Sequence, residues 1–369
     1  MSNAELSKGK IIKRIIIALL ILLVLFTAAV FTVNKIKLSQ ELNMLKDAGC
    51  YNPVSAGDYS INVYTSGNQD GKHRLVALSG GGVSNFGLHL TPITDRFAED
   101  NQIVIPDRAG YGLSDDTKIP QTVEQVVSDY RTALKNAGIE APYVLLPHSI
   151  GGAYATYWVS EYPDEIEGIV FLDGTQLNET TEIEGVPSKF KNRLDIILCD
   201  LGFYRLASAN YIRPLPGSRT DEEQKLSYAL CVRTGTNNAV GDETIRVNEN
   251  AKFAFNSIKT NDVPKVYICS SWGAETEDDV IENMKWVNEQ RKAIGQNEIP
   301  IDPSVAPIAI SQSKEMRETI LEPYLEKMGA CELVLLPGDH FIFDQKPEKC
   351  ADIISDFLEK LDNNTKGAE

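Results

Sequence analysis

Histidine is scarce in this sequence, and closely spaced cysteine pairs are absent. Histidine occurs four times in 369 residues, and none of the six cysteines stands in a C-x-x-C spacing. Structural zinc sites need clustered cysteine and histidine ligands, so this composition argues against such a site. The cysteines are then either free thiols or, outside the cytoplasm, partners in disulfides. Cys199 and Cys231 form the pair that we would test, because both fall in one helical segment.

Positive charge is scarce beyond the first 37 residues. The chain has a formal net charge of −16, and residues 1–37 carry six basic side chains and one acidic side chain, a net of +5, which leaves −21 for the remainder. An acidic surface repels phosphate backbones and anionic headgroups. We therefore expect no nucleic-acid binding and no peripheral lipid docking by the main domain.

One long uncharged run lies near the N-terminus. Residues 15–33, IIIALLILLVLFTAAVFTV, follow a basic segment at 1–14 and are long enough as a helix to cross a bilayer. We predict a single-pass transmembrane anchor with a cytoplasmic N-terminus, so that the rest of the chain is extracytoplasmic. The alternative is a signal peptide that is cleaved near Thr27-Ala28-Ala29, which would give a secreted protein.

Short apolar runs alternate with helical patterns from about Gly57 onward. This alternation is typical of βα units around a mostly parallel sheet with helices on both faces. The alternation stops at 174–262, where several helical patterns occur without a strong strand pattern, and we predict an inserted helical cap there. The predicted segments are a linker at 34–56, an α/β core at 57–173 and 263–361, the cap at 174–262 and a tail at 362–369.

Polar residues and glycines follow several of the predicted buried strands. Ser149 in PHSIGG stands between a strand and a helix, where a hydroxyl points out over the sheet and the helix N-terminus favours negative charge. By itself, such a serine is more often a helix cap. His340 in GDHF follows the last strand, at the level where a general base would take the hydroxyl proton. The glycines at 80–82 allow main-chain N–H groups to approach an oxyanion, and DRAGYGLSD at 107–115 suits a structural turn.

As an ordered set, these motifs resemble those of the α/β-hydrolase superfamily over about residues 58–361. PHSIGG resembles its nucleophile elbow, LSGGG its oxyanion loop, DRAGYGLSD its D-x-x-G-x-G-x-S turn, and GDHF its terminal histidine motif. The resemblance implies Ser149 as nucleophile, His340 as base, and the N–H groups of Gly81 and Ile150 as the oxyanion hole. Pro147 departs from the pattern, which has glycine there, so we expect a stiffer elbow.

The acid that orients the histidine has two candidates. Glu275 lies after the strand KVYICS, where the superfamily usually has its acid, and Asp173 ends the preceding apolar strand IVFLDG. An isolated carboxylate at the end of an apolar strand is costly to bury unless a partner compensates for the lost water. We therefore favour Asp173 over Glu275.

These features predict a membrane-anchored serine hydrolase that cleaves an ester, thioester or amide through an acyl-enzyme outside the cytoplasm. A serine at the elbow argues against epoxide hydrolase or haloalkane dehalogenase chemistry. The reading implies no metal or organic cofactor, and a small-molecule or lipid-like acyl substrate. The alternatives are an acyltransferase or a peptidase that uses the same residues, or a catalytically silent binding protein of the same fold.

The cap would supply the substrate pocket, although packing of the cap on the core would account for the same apolar side chains. The residues in question are Leu198, Leu201, Phe203, Tyr204, Leu206, Tyr211, Phe253 and Phe255.

Overall fold

Within residues 3–208 and 212–366, which the computed structural model describes, eight strands form one sheet. Their order across the sheet is β1-β2-β4-β3-β5-β6-β7-β8; β1 and β2 pair antiparallel, and β3 to β8 run parallel. The strands are β1 Pro53–Ser55, β2 Ser60–Gly67, β3 Arg74–Leu78, β4 Gln102–Pro106, β5 Tyr143–Ser149, β6 Ile166–Gly174, β7 Lys265–Cys269 and β8 Cys331–Leu335.

Helices cover both faces of this sheet. One cluster of buried apolar side chains joins the sheet to α3 and α4, and a second joins the other face to α2 and α13. The central strands are apolar at nearly every position because neither face meets water. The predicted mostly parallel sheet with helices on both faces is thus confirmed. The helices are α1 Asn3–Asp47, α2 Phe86–Thr94, α3 Val123–Asn136, α4 Gly151–Glu161, α5 Lys189–Asp200, α6 Phe203–Ala207, α7 Asp221–Thr234, α8 Asn238–Asn256, α9 Glu277–Ala293, α10 Ala306–Met316, α11 Glu322–Met328, α12 Ile342–Gln345 and α13 Pro347–Lys366.

Four helices, α5 to α8, lie between β6 and β7 in the segment predicted as a cap. Helix α7 begins at a capping box: the Thr220 hydroxyl accepts a hydrogen bond from the Glu223 N–H, and the Glu223 carboxylate accepts one from the Thr220 N–H. Helix α8 packs on both α4 and α5, so the cap rests directly on the helix that follows Ser149.

The N-terminal helix does not end where the uncharged run ends. Helix α1 continues to Asp47, and the segment predicted as a linker from residue 34 is helical over most of its length. The stretch Gly9–Asp47 is long and apolar enough to cross a membrane by length and composition, and its uncharged part is almost entirely exposed.

Contacts with the cap explain why α1 stays helical after the uncharged run. Leu45 is fully buried in a small apolar cluster with Leu226 and Leu230 of α7. Both terminal nitrogens of Arg205 in α6 donate to the carboxylate of Glu41, at 2.7 and 2.8 Å. These tertiary contacts hold much of the segment that was predicted as a linker in a helix that packs on the cap.

Helix α13 likewise extends beyond the predicted boundary, to Lys366 rather than to residue 361. Asp362 lies 3.3 Å from Nε2 of His73 and 3.5 Å from Nζ of Lys72, measured from its carboxylate oxygens. These contacts hold the first turn of the predicted tail on the core, and residues 367–369 lie outside the described part of the chain.

All six cysteines are free in the structure, so Cys199 and Cys231, the candidate disulfide pair, are not joined. Burial raises the pKa of the Cys231 thiol to about 12, which keeps it protonated and poorly nucleophilic. Buried thiols of this kind pack as small apolar groups.

The contact between α1 and the cap predicts a stability effect. Replacing Leu45 by alanine leaves a cavity in a fully buried cluster, and we expect the free energy of unfolding to fall by about 2–4 kcal/mol. The thermal unfolding midpoint of the full chain in detergent measures this loss. Leu25→Ala, at an exposed position of the same helix, is the control, and equal midpoints for the two variants would contradict the packing.

Candidate active site

Ser149 occupies a strained turn between β5 and α4. Its φ of 51° is in the left-handed region, which a non-glycine residue adopts only at an energetic cost. Residues with such strained backbone are concentrated at functional sites. The side chain is partly exposed, whereas His148 and Ile150 on either side are buried. A Cβ at Gly151 would lie 2.4 Å from the carbonyl oxygen of Leu78, so only glycine fits next in this turn. The turn therefore presents the Ser149 hydroxyl at the carboxyl edge of the sheet.

Pro147 is accommodated inside β5 rather than in the turn itself. It pairs in register with Leu78 of β3, and one of the two irregularities in the pairing of β5 with β6 falls one step later, between His148 and Ser149. The proline thus restricts the strand just before the turn, and the left-handed backbone is confined to Ser149 in this segment.

The structure brings Asp173 and His340 together. Asp173 is the penultimate residue of β6, before Gly174, which pairs with Ser149; it has a φ of 49° and is fully buried. Its carboxylate accepts from Nδ1 of His340 at 2.7 Å and from the backbone N–H groups of Ser270 and Ser271 at 2.8 and 3.2 Å. The Ser271 hydroxyl donates to the same carboxylate at 2.5 Å. Four donors therefore replace the water that this carboxylate loses on burial.

This hydrogen bond determines which nitrogen of His340 is basic. A carboxylate accepts hydrogen bonds, so Nδ1 of His340 carries the hydrogen and Nε2 keeps its lone pair. The His340 side chain is partly exposed, so Nε2 is available for proton transfer. Glu275, the other candidate acid, is 61% exposed and lies 3.8 Å from the guanidinium of Arg317. The structure thus pairs His340 with Asp173 and leaves Glu275 on the surface.

His148 lies beneath these groups, completely buried. Its Nε2 is 3.1 Å from the carbonyl oxygen of His340 and donates to it, and its ring packs among Phe86, Phe341 and Phe343. Burial and the nearby His340 hold the pKa of His148 well below its ordinary value of 6.5. His148 is therefore a neutral ring that fixes the backbone of the loop carrying His340.

The glycine loop after β3 lies directly against the Ser149 turn. A Cβ at Gly80 would lie 2.7 Å from the His148 ring and 2.9 Å from the Cβ of Ser149, so a larger residue is excluded. An added Cβ at Gly81 would be 3.8 Å from the Ile150 side chain. The loop thus brings Gly81 next to the first residue after the serine.

Arg108 holds this loop in place. It belongs to the segment 107–115 that was predicted as a structural turn. Its guanidinium is buried and donates to the carbonyl oxygens of Ser79 and Gly80 at 2.6 and 2.9 Å. Because the C=O and N–H of a trans peptide point in opposite directions, the bond to the Gly80 carbonyl also fixes the direction of the Gly81 N–H.

The charge of Arg108 is balanced from the cap. Glu243 of α8 lies 2.8 Å from Nε of Arg108, and both side chains are nearly completely buried. The hydroxyls of Tyr111 and Tyr154 donate to the Glu243 carboxylate, and the Tyr111 hydroxyl accepts from the Gly82 N–H. No sequence pattern marks Glu243, because it lies 135 positions from Arg108 in a helix with ordinary polar composition.

A cleft of about 340 Å³ lies between the cap and the core, next to His340. Its lining includes Asp339 and Phe341 from the histidine loop, Gly82 and His89 from the core, and Tyr204 from the cap. Eight apolar cap residues were expected to line a pocket, and among those that the structure describes only Tyr204 borders this cleft. Leu198, Leu206 and Phe253 are exposed at the surface, and Tyr211 lies outside the described residues.

Among residues 3–208 and 212–366, no group of three or more His, Cys, Asp and Glu side chains could hold a metal ion.

The strand order, the serine turn and the cap inserted after β6 are those of the α/β-hydrolase fold. Residues 71–270, more than half of the chain, match the sequence model of the serine aminopeptidase S33 family, and the chain belongs to this family of hydrolytic enzymes. The family membership that the motifs implied is confirmed.

Individual proteins are similar to this chain in sequence or in fold. Bacillus subtilis YbdG, an uncharacterised protein, is 29% identical over 260 residues, which cover 69% of this chain and 78% of YbdG. The structure of the epoxide hydrolase CorEH superposes with a TM-score of 0.55 at 14% identity and covers 84% of this chain and 99% of CorEH. The Bacillus subtilis carboxylesterase CesB gives a TM-score of 0.51 at 14% identity, with 89% of this chain and 98% of CesB covered. Both structural similarities show the shared fold.

Burial of neutral His148 predicts a specific pH dependence of stability. In the unfolded chain His148 takes up a proton near pH 6.5, whereas the folded ring stays neutral, so stability falls as the pH drops below about 6.5, by at most about 1.4 kcal/mol per pH unit. We expect His148→Gln to flatten this decline in a plot of thermal midpoint against pH from 5 to 7.

His73 supplies a control of opposite sign. Its hydrogen bond with Glu167 raises the pKa of His73 above 6.5, so its stabilisation is complete below the unfolded pKa and is lost as the pH rises through the folded pKa. His73→Gln should therefore change the slope above pH 6.5 and leave the acid limb unchanged. An acid limb equally steep in His148→Gln and in the parent protein would contradict the assignment.

Proposed function

We propose that this enzyme is a membrane-anchored serine hydrolase that cleaves an ester, thioester or amide outside the cytoplasm through an acyl-enzyme. The observation that carries the proposal is the 2.7 Å hydrogen bond between Nδ1 of His340 and buried Asp173, formed at the edge of the sheet where Ser149 stands in its strained turn. In register, Ser149 pairs with Gly174, the residue after Asp173, so all three groups belong to one cluster of strand ends.

The chemistry follows from the tautomer of His340. Its free Nε2 accepts the proton of the Ser149 hydroxyl while the serine oxygen forms a bond to the substrate carbonyl carbon. The resulting imidazolium is stabilised by Asp173 and returns the proton to the leaving alcohol, thiol or amine as the carbonyl bond to that group breaks. Water then attacks the acyl-enzyme, again losing a proton to Nε2, and the acid is released with Ser149 restored.

The oxyanion that forms in each half-reaction would be held by the N–H groups of Gly81 and Ile150. Ile150 precedes α4, whose N-terminus favours negative charge at this point. The support for Gly81 comes from Arg108, whose bonds to the two preceding carbonyl groups hold the loop in one orientation. Preorganised donors of this kind need no rearrangement when charge develops.

The membrane anchor is assigned to residues 15–33 of α1. The support is a mean hydropathy of 3.1 in the most apolar part of the helix, together with its almost complete exposure to the surroundings. The basic segment at 1–14 favours a cytoplasmic N-terminus, which leaves the catalytic domain outside. Peptide amides are the second candidate substrate, because the matching family is named for serine aminopeptidases.

A fluorophosphonate probe tests the nucleophile, because it bonds covalently to an activated serine. We expect the full chain to be labelled and Ser149→Ala to be unlabelled.

With p-nitrophenyl esters of graded chain length, Asp173→Asn should lower kcat by about 10²–10⁴-fold, since the histidine loses its orienting carboxylate. Glu275→Gln is the matched control and should stay within about twofold, as expected for an exposed side chain. Labelling of Ser149→Ala at the parent rate would refute the proposal, and a collapse of turnover in Glu275→Gln alone would assign the acid to Glu275.

Arg108 offers a test of the oxyanion loop. Lysine cannot bridge two carbonyl groups as the guanidinium does, so Arg108→Lys should lower kcat by about 10–100-fold with a smaller change in KM. Arg96→Lys, at a partly exposed surface ion pair, is the control and should retain the parent kcat. A larger effect on KM than on kcat would mean that Arg108 serves substrate binding rather than the transition state.

A further inference from the structure

Helix α5 of the cap carries an apolar stripe that faces outward. Phe190, Leu194, Ile197 and Leu198 are all exposed, at 80%, 45%, 47% and 37%. Their spacing of i, i+4, i+7 and i+8 places them on one side of the helix, while Asn192 on another side is buried. We call these four residues together with Leu206 of α6, which is also exposed, the cap stripe.

Exposure on this scale is unusual for the rest of the molecule. Among the described residues after Tyr51, ten large apolar side chains are exposed, and five of them form the cap stripe. Four of the others lie at 299–308, before and within α10. A contiguous apolar surface that faces outward marks a contact with a partner or a membrane.

The position of α6 beside α1 indicates which partner this is. The rings of Phe203 and Phe26 are 6.2 Å apart, and Nε of Arg205 donates to Asn34 at 2.9 Å. A Cβ at Gly202 would lie 2.6 Å from the Cβ of Asn34, so the two helices are in close contact there. The segment between α5 and α6 therefore lies against α1, at the point where the uncharged run of α1 ends.

The contact between Phe26 and Phe203 indicates how deep α6 would lie in the bilayer. Phe26 lies seven residues before the end of the uncharged run, which corresponds to about 10 Å along an α-helix. Helices that lie in a lipid-water interface bury their apolar face by about 5–10 Å. The cap helix next to Phe26 is thus at interfacial depth if residues 15–33 span the bilayer.

The charges at the start of α5 suit the same environment. Lys189, Lys191 and Arg193 are exposed within its first five residues, although Lys191 also pairs with Asp195. Interfacial helices combine such basic residues with an apolar face, because the basic side chains reach the headgroups. The net charge of the main domain had suggested that it does not dock on lipid, but an average over the whole domain conceals this local concentration of positive charge.

We propose that the cap stripe is a docking surface for the bilayer in which α1 is anchored, and this inference rests on the proposed membrane anchor. Helix α5 also packs behind the wall of the cleft: an added Cβ at Gly235, which lines the cleft, would lie 3.2 Å from Sγ of Cys199 in α5. Amphiphilic acyl compounds dissolved in the membrane are then the substrate class, because they reach the cleft without first crossing water.

Lipid quenching of an added tryptophan tests the docking. The full chain is reconstituted in vesicles of phosphatidylcholine with a minority of phosphatidylglycerol, with and without phosphatidylcholine brominated near the top of the acyl chains. We expect bromolipid to quench about half or more of the emission added by Phe190→Trp, as an interfacial side chain requires. The emission added by Ile308→Trp, at the other exposed apolar segment, should be nearly unaffected. Equal, weak quenching of both would overturn the proposal.

A second pair of variants tests the substrate class. We expect Leu194→Ser combined with Ile197→Ser to lower the hydrolysis of a long-chain ester presented in vesicles by about tenfold, in line with the loss of two interfacial side chains. Ile308→Ser should leave this rate unchanged. Fluorophosphonate labelling in detergent, which contains no bilayer, should be the same in all three proteins. An unchanged rate in the double variant, or loss of its labelling, would overturn the assignment of the stripe as a docking surface.

Failure of the proposed function can be distinguished from failure of the docking surface. Release of the parent chain from vesicles by alkaline carbonate would refute the membrane anchor, and the docking surface with it. A parent chain that resists carbonate and shows quenching at position 190, but takes no fluorophosphonate, would support docking and refute the serine hydrolase. Resistance to carbonate without quenching at position 190 would refute docking alone.

Discussion

The buried carboxylate of Asp173 is the constraint around which the candidate site is built. It accepts hydrogen bonds from two residues after β7 and from His340 after β8, while it lies near the carboxyl end of β6 itself. An unpaired carboxylate at this depth would be strongly destabilising, so each of the three strand ends must adopt the conformation that supplies its donor. The left-handed backbone at both Asp173 and Ser149 is the local strain that this arrangement maintains.

A second buried charge links the cap to this centre. Arg108 joins the carbonyl groups of the glycine loop to Glu243 of α8, so the loop and the cap helix share one ion pair. Removing either partner would leave an uncompensated charge in the interior. The cap is therefore tied to the candidate site through α8, while α6 contacts α1 and α5 exposes its apolar stripe.

Sequence patterns predicted most of the elements and most of the candidate site residues. Alternating apolar runs identify the parallel strands because such strands are buried on both faces, and residues after those strands meet at one edge of the sheet. This is why Ser149, Asp173 and His340 could be named before their contacts were known. Local patterns do not reveal long-range contacts, so the roles of Arg108 and Glu243, and the helical continuation of α1 past residue 33, were missed.

The sequence by itself determined the sheet, the inserted helices, the apolar N-terminal helix and the strand ends that carry the candidate residues Ser149, Asp173 and His340, because these depend on short-range periodicity and turn residues. Only the tertiary structure shows that Asp173 lies buried beside His340 while Glu275 is exposed, since burial is a property of the folded chain. It also decided that the apolar residues of α5 face outward. Helical periodicity shows that such residues share a side, but only the packing of the cap on α1 shows which side remains open.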